Sequence, residues 1–146
     1  QTMMFSATWP DSVRALSRDL MLSPVELRVG VAAGDELRAN ADVEQQVTFV
    51  DNDQDRENQL VRLLRGRPHA KTIVFVGMKR TCRELCRLIR AKAPGRCEAL
   101  HGDRSQEERQ EALEAFRSGQ TRILCATDVC GRGLDVKDVA LVVNFD

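Results

Sequence analysis

The chain has 146 residues with 42% hydrophobic and 30% charged side chains, which is the size of one ordinary domain and excludes an intrinsically disordered chain. Its 22 Lys and Arg residues balance 22 Asp and Glu residues, which excludes a polycationic nucleic-acid coat but not a local basic patch. Only 4% of residues are aromatic and no apolar run approaches roughly 20 residues, so neither an aromatic stacking platform nor a membrane span is expected.

Short apolar runs alternate with amphipathic stretches along the chain. The runs are rich in β-branched residues and predict strands at 2–5, 25–29, 43–50, 72–76, 97–100, 122–126 and 140–145. Helical periodicity predicts a helix after Pro10, one behind the polar run 51–58, one containing Cys82 and Ile89, and one from Ser105 to a stop at Gly119. Strands that alternate with helices indicate βαβ units, so the predicted fold is α/β, a parallel sheet with helices on both faces.

Residues 30–40 interrupt this alternation with small and polar residues that follow no sustained period. They predict a linker between a first piece, 1–29, and a main domain, 41–146. The chain starts at Gln1 without an initiator methionine or a signal peptide, from which we expect a piece of a longer protein.

The cysteines do not follow the pattern of a metal site. Five cysteines lack a Cys-x-x-Cys pair, and His69 and His101 have no zinc-ligand spacing to any of them. Cys82 and Cys86 share a predicted helix face, but two further ligands have no obvious source. We interpret the cysteines as small buried hydrophobic residues, which places the protein inside the cell, in the reducing cytoplasm or nucleus.

The common nucleotide and calcium motifs are absent from these 146 residues. There is no P-loop, and Gly131-Arg132-Gly133 lacks the third glycine of the dinucleotide fingerprint. Asp51, Asp53 and Asp55 have the spacing of a calcium loop, but Arg56 stands where that loop needs glycine. These acids therefore predict a helix N-terminus, where they favour the macrodipole. The sequence shows no complete catalytic site.

Three segments carry more polar chemistry than packing requires, each at the end of a predicted strand. Ser6-Ala7-Thr8 offers two hydroxyls, although Thr8 as a simple helix cap is an equal alternative. Residues 101–109 join a glycine turn to a helix N-terminus that can hold a phosphate, with a capped surface helix as the favoured alternative. Residues 126–135 bring small residues, a guanidinium and two carboxylates to the same edge, which favours function over packing.

In this order the segments resemble the motifs of the DEAD-box ATP-dependent RNA helicases. The matches are Ser6-Ala7-Thr8 to the Ser-Ala-Thr motif, residues 73–76 to motif IV, His101-Gly102-Asp103 with Gln106 and Arg109 to motif IVa, and Thr127 through Asp135 to motif V. The resemblance covers essentially the whole chain. It implies a three-layer RecA-like fold that is incomplete at its C-terminal end. Residues 1–29 would be the tail of a first RecA-like domain, and 41–146 most of the second, truncated before motif VI.

The resemblance also implies roles for individual residues. Coupling of hydrolysis to strand separation would fall to Ser6 and Thr8, ATP binding to Gly133 and Asp135, the link between nucleotide and RNA to Arg132, and RNA-backbone contacts to Gly102, Gln106, Arg109 and Thr127. Asp135 would accept hydrogen bonds from the ribose hydroxyls. The implied cofactors of the parent enzyme are ATP and Mg²⁺, with no metal ligand in this chain. The implied partners are RNA and the first RecA-like domain.

Some features depart from the helicase pattern or leave alternatives open. Met78 stands where motif IV usually has Thr, so a polar RNA contact is expected to be lost. The P-loop, the Asp-Glu-Ala-Asp site and motif VI would lie outside residues 1–146, so the isolated chain is expected to be inactive. A non-catalytic RecA-like module that binds RNA or protein remains the main alternative, and a flavodoxin-like ligand domain a third. The basic stretch 79–92 is interpreted as a solvated helix face rather than an RNA contact.

Overall fold

The computed structural model describes residues 1–6, 9–27, 42–131, 134 and 136–146. Its elements in chain order are α1 Asp11–Leu20, α2 Asp53–Gly66, β1 Thr72–Val76, α3 Lys79–Lys92, β2 Cys97–Leu100, α4 Gln106–Arg117, β3 Ile123–Thr127, α5 Asp128–Gly131 and β4 Leu141–Asn144. Among the described residues, no helix has the length and apolar character of a membrane span.

The chain divides into two compact units, residues 1–46 and 47–146. The first contains α1, which begins after Pro10 as predicted, ends at Leu20 and buries Ser17. The linker predicted at 30–40 lies outside the described residues, and the predicted boundaries at 29 and 41 stay a prediction.

Three of the seven predicted strands are wrong where the structure describes them. Residues 2–5, 25–27 and 43–50 form no strand, and residues 28–29 lie outside the described part of the chain. A strand requires a hydrogen-bonded neighbour, and a β-branched run alone does not supply one. The side chains of Phe5, Val25 and Phe49 are accordingly about nine-tenths exposed, at 88%, 93% and 92%.

The second unit is built on a four-stranded sheet in the order β2-β3-β1-β4, with every neighbouring pair parallel. In register, Val76 lies beside Thr127, Leu100 beside Ala126, and Phe75 beside Asn144. All four strands therefore end at one edge of the sheet, where the loops that follow them gather.

Alternating strand residues divide the core into two layers. On one face, Val74, Val76 and Cys125 pack with α2 and α3, and the buried residues of α3 are Cys82, Leu85, Cys86 and Ile89. On the other face, Ile73 and Leu124 pack with Phe116 of α4 and with the partly buried side chains of Leu134, Val136 and Val139. The sheet covered on both faces confirms the predicted three-layer α/β fold.

Local sequence signals explain where the helices begin. Asn52 caps α2 by accepting from the backbone N–H of Asp55 at 2.9 Å, so the acids at 51–55 do mark a helix N-terminus. Ser105 is the N-cap residue of α4 and forms a capping box with Glu108. Gly119 follows the end of that helix at φ +78°, a conformation that glycine adopts without steric cost.

Candidate functional site

The carboxyl edge of the sheet brings together segments that are distant in sequence. Gly77 and Met78 follow β1, residues 101–105 follow β2, and α5 follows β3 directly. Because β2 and β3 are hydrogen-bonded neighbours, the turn that carries Gly102 and the strand end Thr127 belong to adjacent strands. In parallel sheets this edge is where ligands bind.

The turn after β2 has a buried start and an open middle. His101 is 5% exposed, and within the described residues its Nδ1 has no hydrogen-bond partner. Burial, followed by the positive charge of Arg83, lowers the pKa of His101. The backbone N–H of Arg104 donates to the carbonyl of His101 at 3.2 Å and closes the turn. A Cβ added at Gly102 would meet no atom within 4 Å, so space lies open above the backbone there.

The N-terminus of α4 combines a capping box with unpaired donors. The Ser105 hydroxyl accepts from the N–H of Glu108 at 3.1 Å, and the Glu108 carboxylate accepts from the N–H of Ser105 at 2.7 Å. Helix geometry leaves the N–H groups of Gln106 and Glu107 without intrahelical acceptors. Two backbone donors at a positive helix end suit an oxyanion such as a phosphate.

Gln106 and Arg109 form a preassembled pair on this helix end. The Arg109 guanidinium donates through one NH₂ group to the side-chain carbonyl of Gln106. Its Nε is buried and has no partner among the described residues. The carboxylate of Glu108, the acid next to Arg109 in sequence, is occupied by the capping box. The Gln106 side chain therefore orients the Arg109 guanidinium, and Glu108 forms its hydrogen bond with Ser105 rather than with Arg109.

Asp103 links the turn to α3 through two cations. Its Oδ1 accepts from Lys79 Nζ at 2.7 Å, and its Oδ2 lies 3.4 Å from an NH₂ group of Arg83. The hydrogen bond from Lys79 is the main cause that lowers the pKa of Asp103. The sequence predicts a solvated helix face for Lys79 and Arg83 and does not show this cluster, because Asp103 lies 24 residues from Lys79 and 20 residues from Arg83.

The motif V segment is described only in part. Thr127 ends β3 and is 9% exposed, and Asp128–Gly131 forms α5. The ATP-site residues predicted from the sequence, Gly133 and Asp135, lie outside the described residues. The same holds for Arg132 and Thr8. Ser6 belongs to the first unit. Of the nine predicted site residues, the four that the structure describes at this edge of the sheet are Gly102, Gln106, Arg109 and Thr127.

The sequence profile of the helicase conserved C-terminal domain family matches residues 55–146, well over half of the chain. The chain belongs to this family. All of it aligns with DEAD-box ATP-dependent RNA helicase 14 of Arabidopsis thaliana, at 42% identity over 147 positions. It also aligns throughout with the ATP-dependent RNA helicase DBP2 of Encephalitozoon cuniculi, at 44% identity over 146 positions. The aligned region is 23% and 28% of these proteins, so the chain spans about a quarter of the length of the curated relatives it matches.

Solved structures agree with this assignment. The yeast DEAD-box splicing factor Prp28 matches all of the chain with a TM-score of 0.69 and 33% identity, over 31% of its own length. Dbp5 of S. cerevisiae, bound to RNA and ADP BeF₃, matches 97% of the chain with a TM-score of 0.77 and 30% identity, over 35% of its length. The predicted resemblance to DEAD-box helicases and the predicted RecA-like fold are both confirmed.

Two further features concern the start of α3 and the cations along it. Met78 is the N-cap residue of α3, is 66% exposed, and provides no side-chain cap. Along α3, Arg80 pairs with Glu84 at 2.9 Å, and Arg90 pairs with Glu98 at 3.0 Å and donates to the Cys97 carbonyl. Many cations of this helix are thus engaged by acids or carbonyl groups.

Proposed function

We propose that the chain supplies part of the RNA-binding surface and the ribose side of the ATP cleft of an ATP-dependent RNA helicase, an enzyme that couples ATP binding and hydrolysis to local unwinding of RNA duplexes. The observation that carries the proposal is the convergence of Gly102, the Gln106–Arg109 pair and Thr127 at one edge of the sheet. The names of the relatives, ATP-dependent RNA helicases, support the same activity.

The chemistry of this edge suits the sugar-phosphate backbone of RNA. Backbone N–H groups of the α4 N-terminus and the Arg109 guanidinium are donors that phosphate oxygens accept. Such contacts position a strand without reading its bases, so binding would be independent of sequence. Glu111 and Glu114 in the body of the same helix repel phosphates, which confines the contact to its first turn.

On the nucleotide side, we propose that Asp135 accepts hydrogen bonds from the ribose, with the Gly133 backbone beside it and Arg132 linking the nucleotide to the RNA. Ser6 and Thr8 of the Ser-Ala-Thr motif would couple the two activities. ATP and Mg²⁺ would supply the reacting phosphoryl group and its charge neutralisation, held by a first RecA-like domain of the same protein. Four buried free thiols suit the cytoplasm or nucleus, where we place the enzyme.

The RNA contact is tested by Arg109→Ala in the full-length enzyme, with Arg117→Ala at the other end of the same helix as the matched control. Binding is measured to two unrelated single strands over a salt series. We expect Arg109→Ala to weaken both complexes equally and to flatten the salt dependence by about one unit of slope or somewhat less. Wild-type affinity and slope on both strands would contradict the proposed contact.

The nucleotide contact is tested by Asp135→Ala in the same enzyme. A hydrogen bond to a charged acceptor contributes about 1.5–3 kcal/mol, so ATP affinity should fall by about tenfold or more while RNA affinity changes less. Unchanged ATP affinity would exclude the ribose role. RNA-stimulated ATP hydrolysis by the full-length protein distinguishes a helicase from a non-catalytic RecA-like module. The 146-residue chain alone should show no turnover, because it contains no P-loop.

A further inference from the structure

We infer that Asp103 is a positioning residue for RNA binding: its carboxylate ties α3 to the turn after β2 and holds the Gly102 backbone in the orientation that meets RNA. The inference rests on the proposed function of this edge. It assigns a role to the Lys79–Asp103–Arg83 cluster, which the proposed RNA contacts do not use.

The Lys79–Asp103–Arg83 cluster joins α3 to the turn after β2 through two ion pairs. Each carboxylate oxygen of Asp103 faces a different cation, Lys79 Nζ at 2.7 Å and an NH₂ group of Arg83 at 3.4 Å. Both cations lie in the first two turns of α3, and Asp103 lies in the turn after β2. Since the cations approach separate oxygens, the carboxylate is fixed in rotation as well as in position.

The turn needs such a tie because its middle lacks packing. Gly102 has no side chain, and a Cβ there would meet nothing within 4 Å, so no neighbouring group packs on that side of its backbone. Glycine also loses the most backbone entropy when it is ordered. Buried His101 anchors the turn on the strand side. Arg104 donates to the Ala99 carbonyl, which fixes it only to its own strand. Asp103 is the link from the turn to a different element.

The sign of a mutational effect separates positioning from simple electrostatics. Replacing Asp103 by Asn keeps the shape but removes a negative charge and releases two cations at the edge. If charge alone mattered, RNA affinity would rise, because released cations attract phosphates. If Asp103 positions the turn, RNA affinity falls in spite of the gain in positive charge.

The test compares Asp103→Asn with Glu84→Gln in the full-length enzyme. Glu84→Gln is the matched control because it removes an exposed ion pair of similar length, Arg80–Glu84 at 2.9 Å, from the same helix. Measured quantities are single-strand RNA affinity, the RNA concentration at half-maximal ATPase rate, the KM for ATP, and the thermal midpoint. For Asp103→Asn we expect RNA affinity to fall by about two- to fivefold, the upper part of the range for an exposed ion pair, with the KM for ATP and the thermal midpoint unchanged. Glu84→Gln should leave all four quantities unchanged.

A double variant tests whether Lys79 acts through Asp103. Lys79→Gln with Asp103→Asn should bind RNA no more weakly than the weaker single variant, because both changes break one tie. Equal or tighter RNA binding by Asp103→Asn, or a parallel change in the KM for ATP, would overturn the inference. Arg109→Ala is measured alongside: if it weakens RNA binding while Asp103→Asn does not, the positioning role fails and the proposed RNA edge stands. If Arg109→Ala has no effect, it is the proposed Arg109 contact that fails.

Discussion

The contact between Gly131 and Phe75 makes a sharp prediction about the motif V segment. A Cβ at Gly131 would lie 2.1 Å from Cε1 of Phe75 and 3.1 Å from its Cδ1 and Cζ. Non-bonded carbon atoms prefer about 3.5–4.0 Å, so in Gly131→Ala the ring or α5 must move by more than about 1 Å. Phe75 lies in β1 and packs against the core layer around Phe116, which restricts how far its ring retreats. Overpacking of this kind costs about 1–3 kcal/mol of unfolding free energy.

The assay is urea unfolding of the chain, followed by the exposure of its buried thiols. Gly102→Ala is the matched control, because a methyl group there meets no atom within 4 Å and should change stability by less than about 0.5 kcal/mol. In the Gly131→Ala background, Phe75→Leu should cost less than it does in the wild type, because the smaller side chain relieves the clash. Wild-type stability of Gly131→Ala, or simple additivity with Phe75→Leu, would refute the reasoning.

Further predictions concern helix caps, protonation and thiol reactivity. Ser105→Ala removes the capping box of α4 and should cost about 1 kcal/mol of unfolding free energy, measured in urea. Met78→Thr supplies a cap that α3 lacks and should add up to about 1 kcal/mol in the same assay. Burial lowers the pKa of His101 below its usual 6.5, so the unfolded chain binds a proton first as the pH falls. Stability should therefore decline below about pH 6.5, and His101→Gln should reduce this decline in thermal melts at pH 7 and pH 5.5. Half-buried Cys130 should react with Ellman's reagent before the four buried thiols, which are Cys82, Cys86, Cys97 and Cys125. Labelling of any of these four in the native protein before Cys130 would contradict their burial. Burial raises the pKa of one of these, Cys82, to about 11.

Local patterns predicted the second unit well because its elements carry their own signals. The stripe at Cys82, Leu85, Cys86 and Ile89 predicts the buried face of α3 by period alone. Ser105 and Glu108 predict their capping box from a spacing of three residues. Strands are different, because a strand exists only when a partner pairs with it. Residues 43–50 have the composition of a strand but form none. Their sequence does not indicate which strand would pair with them.

The candidate site shows the same division between local and non-local information. The Gln106–Arg109 pair was predictable, since residues three apart on a helix lie on one face. The ion pair between Asp103 and Lys79 was not predictable from the sequence, because it depends on how α3 packs against the turn after β2. That arrangement follows from the strand order β2-β3-β1-β4, which no local pattern encodes.

The balance of charge along α3 bears on how the proposed enzyme would release RNA. Four of the six cations of α3 are each paired with an acid of the same unit, which reduces the diffuse positive charge that this helix offers to a strand; they are Lys79, Arg80, Arg83 and Arg90. RNA affinity would instead depend on a few directed donors, the α4 N-terminus and Arg109. Each phosphate contact increases both the affinity for RNA and its salt dependence. A complex with few phosphate contacts is therefore weaker and dissociates more readily. Such weak binding would suit an enzyme that must release its product strand in every catalytic cycle. A polycationic helix would hold the strand after hydrolysis, so the zero formal net charge of the chain suits the proposed role in RNA binding.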